Sequence, residues 1–342
     1  MHDTPTILKY LEELTGISQD NVDFTDKNVF GIFQGYENLG IDPKWFPINK
    51  ATAGIPEFNT PFLKQMLDEV EPKTFSELNR ICGASHGTDV WMGNIRDVVL
   101  SGTATLSEVP CTRDDIMNYL ISKGVDNKIA FDIMERVRKG KGLTDELLKV
   151  LKDNNIPEWY IGILKKIKYL FPSSHSFSYL MTAFKIAWYK YYYPLEFYAV
   201  TFSVRPQEFK IKYAFEDLKT IKEEVLKLSN NYGLEKKDKD KLMILELILE
   251  MRLRGYTFKN VDINKSHYSR FLPVDNQLLI PLDKIDGLGD IAAKKIWEFR
   301  KTKKIEFEEE LGKLVNKTVL EKLKNNGVNL KRIEDTKNKL FN

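Results

Sequence analysis

The sequence predicts a mainly α fold, with a large helical domain, a helical connector carrying a small β element, and a C-terminal helical domain hinged on glycines. Three observations predict it. Apolar residues recur at helical spacing, with short breaks, from 57 to 205. Residues 256 to 281 change to short β-type runs around Asp275-Asn276. Ile285-Asp286-Gly287-Leu288-Gly289-Asp290 then opens a basic helix. A length of 342 residues suits two or three compact units. With 42% hydrophobic and 30% charged residues, the composition is that of a soluble globular protein. No apolar run is long enough to span a bilayer. Met1-His2-Asp3-Thr4-Pro5 is polar, with no basic-then-apolar leader. The expectation is a cytoplasmic chain with no membrane partner. Cys82 and Cys111 are the only cysteines; they match no zinc spacing and read as inert thiols in a reducing compartment.

Each element follows from local pattern. Thr4 to Thr15 is a helix with Thr4 as its cap, Pro5 in its first turn, an apolar stripe of Ile7, Leu8, Leu11 and Leu14, and Gly16 as its stop. Asp26 to Phe33 reads as a second short helix, and Gly35 to Pro56 as irregular loop. Helical spacing then covers Phe58 to Glu69, Thr74 to Gly83, Asp89 to Leu100, Arg113 to Ser122 and Asn127 to Lys139. It continues over Thr144 to Asn154, Pro157 to Tyr169, His175 to Tyr192 and Leu195 to Val204. Thr74 with Glu77 makes a full capping box, and Pro194 breaks the aromatic run Tyr189 to Tyr193. Residues 206 to 255 hold two charged amphipathic helices joined near Asn230 to Lys236. Tyr256 to Phe258, Ser269 to Leu272 and Gln277 to Ile280 are short strands, the last two turning at Asp275-Asn276. Residues 284 to 330 return to short helices, and no repeat of solenoid length occurs.

The net charge is only +3, so the distribution of cations matters more than their total. They cluster at Arg136 to Lys141, at Lys165 to Lys168, and at Lys294, Lys295 and Lys301 to Lys304. Gly287-Leu288-Gly289 is a turn whose amides a ligand can approach without a Cβ in the way, with a helix N-terminus behind it. That is the pattern of a helix-hairpin-helix hairpin, which grips nucleic-acid backbone, and Lys294, Lys295 and Arg300 suit a phosphate partner. A plain helix-helix turn is the competing reading. A second, weaker copy is read at Val319 to Gly327. Ser85-His86 lies in a polar loop, Ser85 to Asn94, in which Gly87 would adopt positive φ and Asp89 would cap the next helix. Without a nucleophile elbow or a third member, it does not make a hydrolytic triad. Asp114 and Asp115 point about 100° apart on a helix and suit its first turn better than a metal ion. Arg113 beside them has a fork that suits phosphate. Arg138-Lys139-Gly140-Lys141-Gly142 can clamp an anion, and Lys168 to His175 sets aromatics beside cations, the signature of contact with a base and its phosphates.

Several motifs stand in one order: Gly54-Ile55-Pro56-Glu57-Phe58, Phe75-Ser76-Glu77-Leu78, the Ser85 to Asn94 loop, Arg113 to Met117, the Arg138 to Gly142 turn, and Trp159-Tyr160 through Tyr169-Leu170-Phe171-Pro172. The succession resembles the C-terminal portion of the PolC-type bacterial DNA polymerase III alpha subunit, from fingers to C-terminus. The resemblance implies that 1–56 is the end of the palm and the lead-in to the fingers, and that 57–205 is the fingers domain. It implies further that 206–283 is the helical connector with short strands, 284–330 a tandem helix-hairpin-helix DNA-binding domain, and 331–342 a tail with a clamp-binding peptide. It puts Arg113, Lys139 and Lys141 near the incoming triphosphate, and Tyr169 beside the nascent base pair with Phe171 and His175 close by. DNA contacts fall to Gly287, Leu288, Gly289, Lys294 and Lys295. Leu340 and Phe341, in a segment similar to a degenerate sliding-clamp peptide, would reach the clamp, although Lys337 stands where the family favours glutamine. The chain is expected to begin just downstream of the last of three metal-binding aspartates, so no catalytic residue is assigned to it. Mg2+ is expected in the complete polymerase and no metal on this chain alone. The implied partners are primer-template DNA, dNTP, the sliding clamp (beta subunit) and a separate N-terminal piece with palm and exonuclease. The rival function is a standalone DNA-binding or clamp-binding module without enzymatic activity.

Overall fold

Most helix starts in the first half of the chain rest on a side-chain oxygen that accepts a backbone N–H. The computed structural model describes residues 3–205, 208–231, 233–325, 328 and 330. In chain order the helices are α1 (Thr4–Thr15), α2 (Lys27–Gln34), α3 (Pro61–Val70), α4 (Phe75–His86), α5 (Arg96–Leu100) and α6 (Arg113–Ser122). Next come α7 (Asn127–Arg138), α8 (Asp145–Asp153), α9 (Glu158–Lys166), α10 (Ser173–Tyr192) and α11 (Pro194–Val204). The remaining helices are α12 (Ile211–Phe215), α13 (Leu218–Ser229), α14 (Lys236–Leu253), α15 (Asp290–Thr302), α16 (Glu308–Gly312) and α17 (Lys317–Asn325). Between α14 and α15 lie the strands β1 (Thr257–Lys259), β2 (Leu272–Val274) and β3 (Gln277–Leu279). The fold is mainly α, as predicted. Asp26, Thr60, Thr74, Thr112, Asp126 and Thr144 each cap the helix that follows. The Thr74–Glu77 capping box is present, and Thr112 with Asp115 forms a second. No helix among the described residues is long and apolar enough to cross a membrane.

The chain divides into two compact units, one of residues 22–38 and 48–187, the other of 1–21, 39–47 and 188–342. The first contains α2 to α9 and most of α10. Its core gathers Phe33, Phe58 and Phe184, all fully buried. Phe33 stacks on Phe184 at 6.0 Å, and Phe58 and Phe75 meet that pair edge-on. Two predicted boundaries move here. The helix expected from Phe58 begins at Pro61, because Thr60 caps it and Glu57 is in the left-handed region at φ 66°. The helix expected over Asp89 to Leu100 shrinks to α5, because Met92 and Gly93 leave helical geometry within Trp91–Ile95.

In the second unit, α11 packs on α1 and α14, and the three-stranded sheet has the order β1-β3-β2. β2 and β3 are antiparallel about a turn at Asp275 (φ 54°), as expected, while β1 pairs with β3 in parallel. Gly16 stops α1 at φ 69°, but Thr4 lies inside the helix and is buried, so it is not the cap. The two amphipathic helices expected over 206 to 255 are three. Moreover, α14 is amphipathic only at its start, since every residue from Leu242 to Met251 is buried. A helix interred on all sides must satisfy any charge it carries. Glu250 accepts from Lys190 Nζ at 2.8 Å and from Tyr198 Oη at 2.5 Å, with Lys190 and Glu250 both fully buried. Arg254 adds bonds to the Lys190 carbonyl and to Tyr198 Oη.

Candidate functional site

The segment 168–173 leaves α9 as extended chain, three residues before the predicted helix end at Tyr169, and three other parts of its unit anchor its backbone. Thr88 N donates to Tyr169 O at 2.9 Å, and Lys168 N donates back to Thr88 O at 3.0 Å. Leu170 N reaches Arg138 O at 3.4 Å, and Arg113 N donates to Phe171 O at 2.9 Å. Asp114 Oδ2 accepts from Ser173 N at 2.6 Å at the start of α10. The glycines of two of these loops admit the contact by lacking a side chain. A Cβ on Gly87 would overlap Val90 and lie 2.7 Å from Tyr169 O, and one on Gly140 would lie 2.6 Å from Lys168 O. Four stretches that are far apart in sequence therefore meet along one strap.

The strap brings the sequence-predicted residues into one neighbourhood. Arg113 opens α6, and its guanidinium has no hydrogen-bond partner among the described residues. Tyr169 is 42% exposed and meets Phe171 edge-on at 5.0 Å, while Phe171 stacks on His175 at 4.9 Å and 12°. Lys141 is exposed in the glycine turn. Lys139 pairs with Glu135 at 2.7 Å, and Arg138 grips the same carboxylate. Hydrogen bonds from Arg138, then Lys139, lower the Glu135 carboxyl to about 2. Asp115 bonds back to the Thr112 amide and pairs with Arg80 at 3.1 Å, so both aspartates of the pair hold the fold together.

Two parts of the site escape sequence reading. Ser85 and His86 belong to the last turn of α4 and not to a loop. Gly87 has φ −77°, so its role is close approach and not positive φ. Asp89 takes φ 55° and caps nothing; its carbonyl accepts from Asn94 Nδ2. The His86 ring lies 5.7 Å from Phe171, 6.2 Å from His175 and 5.8 Å from Tyr179, with Nε2 3.2 Å from Glu57 Oε2. Burial, then the charge of His175, lowers the His86 pKa. Cys82, 3.8 Å from the same nitrogen, is pushed up to about 12 by burial and then by Glu57, an inert thiol as expected. Glu57 and Tyr179 carry no local signal, because only the fold sets them beside His86.

In the other unit, Gly287 takes φ 81°, Leu288 is buried, and Gly289 caps α15 with nothing within 4 Å of the place its Cβ would occupy. Lys294 and Lys295 are exposed on α15. Arg300 is otherwise engaged: it donates to Ile263 O and Lys265 O, and burial lowers its pKa. Of the second copy expected at Val319 to Gly327, residues 319–325 are helix, and 326 and 327 lie outside the described residues. The turn between α16 and α17 comes earlier, where Asn316 Oδ1 accepts from Val319 N. Leu340 and Phe341 lie outside the described residues.

Residues 4–155 match the family model of the bacterial DNA polymerase III alpha subunit finger domain, and residues 255–339 that of a helix-hairpin-helix motif. The chain is 44% identical over 329 residues to a DNA polymerase III PolC-type of Caldanaerobacter subterraneus, covering 95% of this chain and 24% of that protein. Similar relatives of the same description occur in Thermotoga maritima (44% over 329 residues, 96% of this chain, 24% of the relative) and Bacillus subtilis (43% over 330, 95% and 23%). The chain therefore spans about a quarter of the length of the curated relatives it matches.

Proposed function

We infer that this chain works as the fingers and helix-hairpin-helix portion of a bacterial DNA polymerase III alpha subunit, since it matches both family models and is similar to PolC-type enzymes along nearly its whole length. From that premise we propose that it supplies the incoming-nucleotide and duplex-DNA contacts of a replicative DNA-directed DNA polymerase. The observation that carries this reading is the strap. It sets an arginine fork, a glycine turn bearing lysines and a partly exposed aromatic ladder around one short extended segment. Arg113 and Lys141 meet the triphosphate of a dNTP, where fixed positive charge offsets the charge that develops on the transferred phosphorus. Lys139 joins them by exchanging Glu135 for phosphate. Tyr169 faces the nascent base pair, and Phe171 and His175 back it.

Mg2+ would neutralise the attacking and leaving oxygens in the complete polymerase. Asp114 and Asp115 are committed to Ser173 and to Thr112 and Arg80, which leaves the holding of the ions, in this reading, to the palm piece. The partners are primer-template DNA, that palm and exonuclease piece, and a sliding clamp reached through Leu340 and Phe341. In a polymerase reconstituted with the palm piece, Arg113→Ala should lower kcat/KM for all four dNTPs alike, on the order of a hundredfold. Tyr169→Ala should also change the ratio of correct to mispaired incorporation, since stacking senses pair geometry. Equal, base-independent losses from both variants would remove the assignment of Tyr169.

A further inference from the structure

His86 stands in the last turn of α4, one residue before the glycine against which the strap passes. Three rings brought from elsewhere in the unit face its imidazole. Phe171 of the strap lies at 5.7 Å, and His175 and Tyr179 of α10 lie at 6.2 Å and 5.8 Å. All three meet it steeply, between 61° and 66°, so His86 is set across the row of rings and is not another layer of it. Its Nε2 lies 3.2 Å from Glu57 Oε2. We propose that His86 is a positioning residue of the nucleotide site: kept in place by Glu57, its ring braces the Phe171–His175 stack and so sets the angle at which Tyr169 meets the nascent base pair.

The need for a brace follows from what the strap's hydrogen bonds hold. Thr88, Arg138 and Arg113 fix residues 168–171 through amides and carbonyls, and those bonds leave the aromatic side chains to be set by packing. The rings order one another. Tyr169 meets Phe171 edge-on at 5.0 Å and 87°, Phe171 lies flat on His175 at 4.9 Å and 12°, and Tyr179 closes on His175 at 4.4 Å and 90°. Tyr169 is the partly exposed end of that row, and His86 touches the three other members at once. Histidine suits the place because it turns a ring toward the aromatics and a nitrogen toward the nearly buried Glu57 carboxylate. Burial, then the charge of His175, lowers the His86 pKa, so at neutral pH the brace adds no charge to the row. A Tyr169 held at one angle rejects a mispair that a looser ring would accommodate, because stacking depends on the geometry of the pair beneath it.

The proposal rests on the strap being the nucleotide site, and Tyr169→Ala, run beside the His86 variants, separates the two. His86→Gln keeps an N–H that reaches toward Glu57 and removes the ring; His86→Phe keeps a ring and removes the nitrogen. The chain has four histidines, so the His175 ring protons are assigned by NMR on the full chain, where the Phe171 face shifts them upfield. His86→Gln is expected to fold, with a urea midpoint close to that of the wild type, and to lose much of that upfield shift. His86→Phe should keep it. In the polymerase reconstituted with the palm piece, His86→Gln should lower the ratio of correct to mispaired incorporation about tenfold, a loss of transition-state positioning. KM for the correct dNTP should stay near the wild-type value, because Arg113 and Lys141 still hold the triphosphate. His86→Phe should restore most of the ratio. A wild-type ratio in folded His86→Gln, with Tyr169→Ala impaired, overturns the brace and leaves the nucleotide site standing. A ratio as low in His86→Phe as in His86→Gln also overturns it, since the ring then does not carry the effect. A wild-type ratio in Tyr169→Ala removes the reading of the site and this proposal with it.

Discussion

Gly87 is read from the sequence as a residue needing unusual φ, and the fold uses it otherwise: it lies where α4 ends and the strap backbone passes 2.7 Å from the site of its missing Cβ. Ala there has ordinary φ to adopt but no room, so either the Thr88–Tyr169 pairing opens or Val90 shifts. Gly87→Ala is expected to destabilise the chain by about 1–3 kcal/mol, the usual cost of overpacking. It should also increase amide exchange at Thr88 and Lys168, whose N–H groups make that pairing. Denaturant unfolding and hydrogen exchange check it; an unchanged midpoint with unchanged protection would mean the strap is not held through this glycine. Arg113 shows the opposite case at the same scale. Its type and helix-start position are legible in the sequence, because a cap of Thr112 and a first turn of acids are local features. What its backbone holds, the Phe171 carbonyl, is not.

Among the elements, the loop between β1 and β2 is tied to α15 by His267, whose ring lies 4.9 Å from Trp297. Its Nδ1 accepts from Ser269 N at 3.1 Å and Arg270 N at 3.0 Å, an acceptor role open only to the neutral ring. Burial first, then the charges of Arg270, Arg300 and Lys301, depress its pKa from 6.5 to about 4. The folded chain therefore refuses a proton that the unfolded chain accepts. The stability His267 contributes is whole above pH 6.5 and is lost as pH falls from 6.5 toward about 4. Asn at 267 offers a similar acceptor that does not titrate, so His267→Asn should lose less stability than wild type between pH 7 and 4.5, read by urea unfolding at both. Equal losses in the two proteins would exclude His267 as a source of acid sensitivity. α14 teaches a related lesson. Its lysine-rich start reads as a surface helix, yet Glu250 anchors a buried ion pair, and no spacing rule marks a glutamate for the core.

At the scale of the whole molecule, the proposed division of labour has a direct consequence. A chain that provides nucleotide and DNA contacts without carboxylates to hold two metal ions should not extend a primer by itself in the presence of Mg2+. It should still bind duplex DNA with an affinity that falls as salt rises. Primer extension assays and binding titrations on the purified chain check both. Template-dependent incorporation that is abolished by a substitution in this chain would overturn the division. Salt-independent binding would remove the backbone-contact reading of the C-terminal unit.

The sequence by itself determined the α-rich fold, most helix limits, the β2–β3 turn and the glycine turn that opens α15. Each depends on residues three or four apart or on a single turn, so local spacing, caps and glycines carry the information. Tertiary structure alone decided that Thr88, Arg113, Asp114 and Arg138 converge on one strap, that Glu57 and Tyr179 surround His86, and that Lys322 reaches Gly287 from another helix. It also decided that Arg300 is used up by two carbonyls and that α14 is buried with its glutamate. These are meetings of residues distant in the chain, made by backbone hydrogen bonds and packing whose partners have no fixed separation in sequence, and no periodicity within one element specifies them.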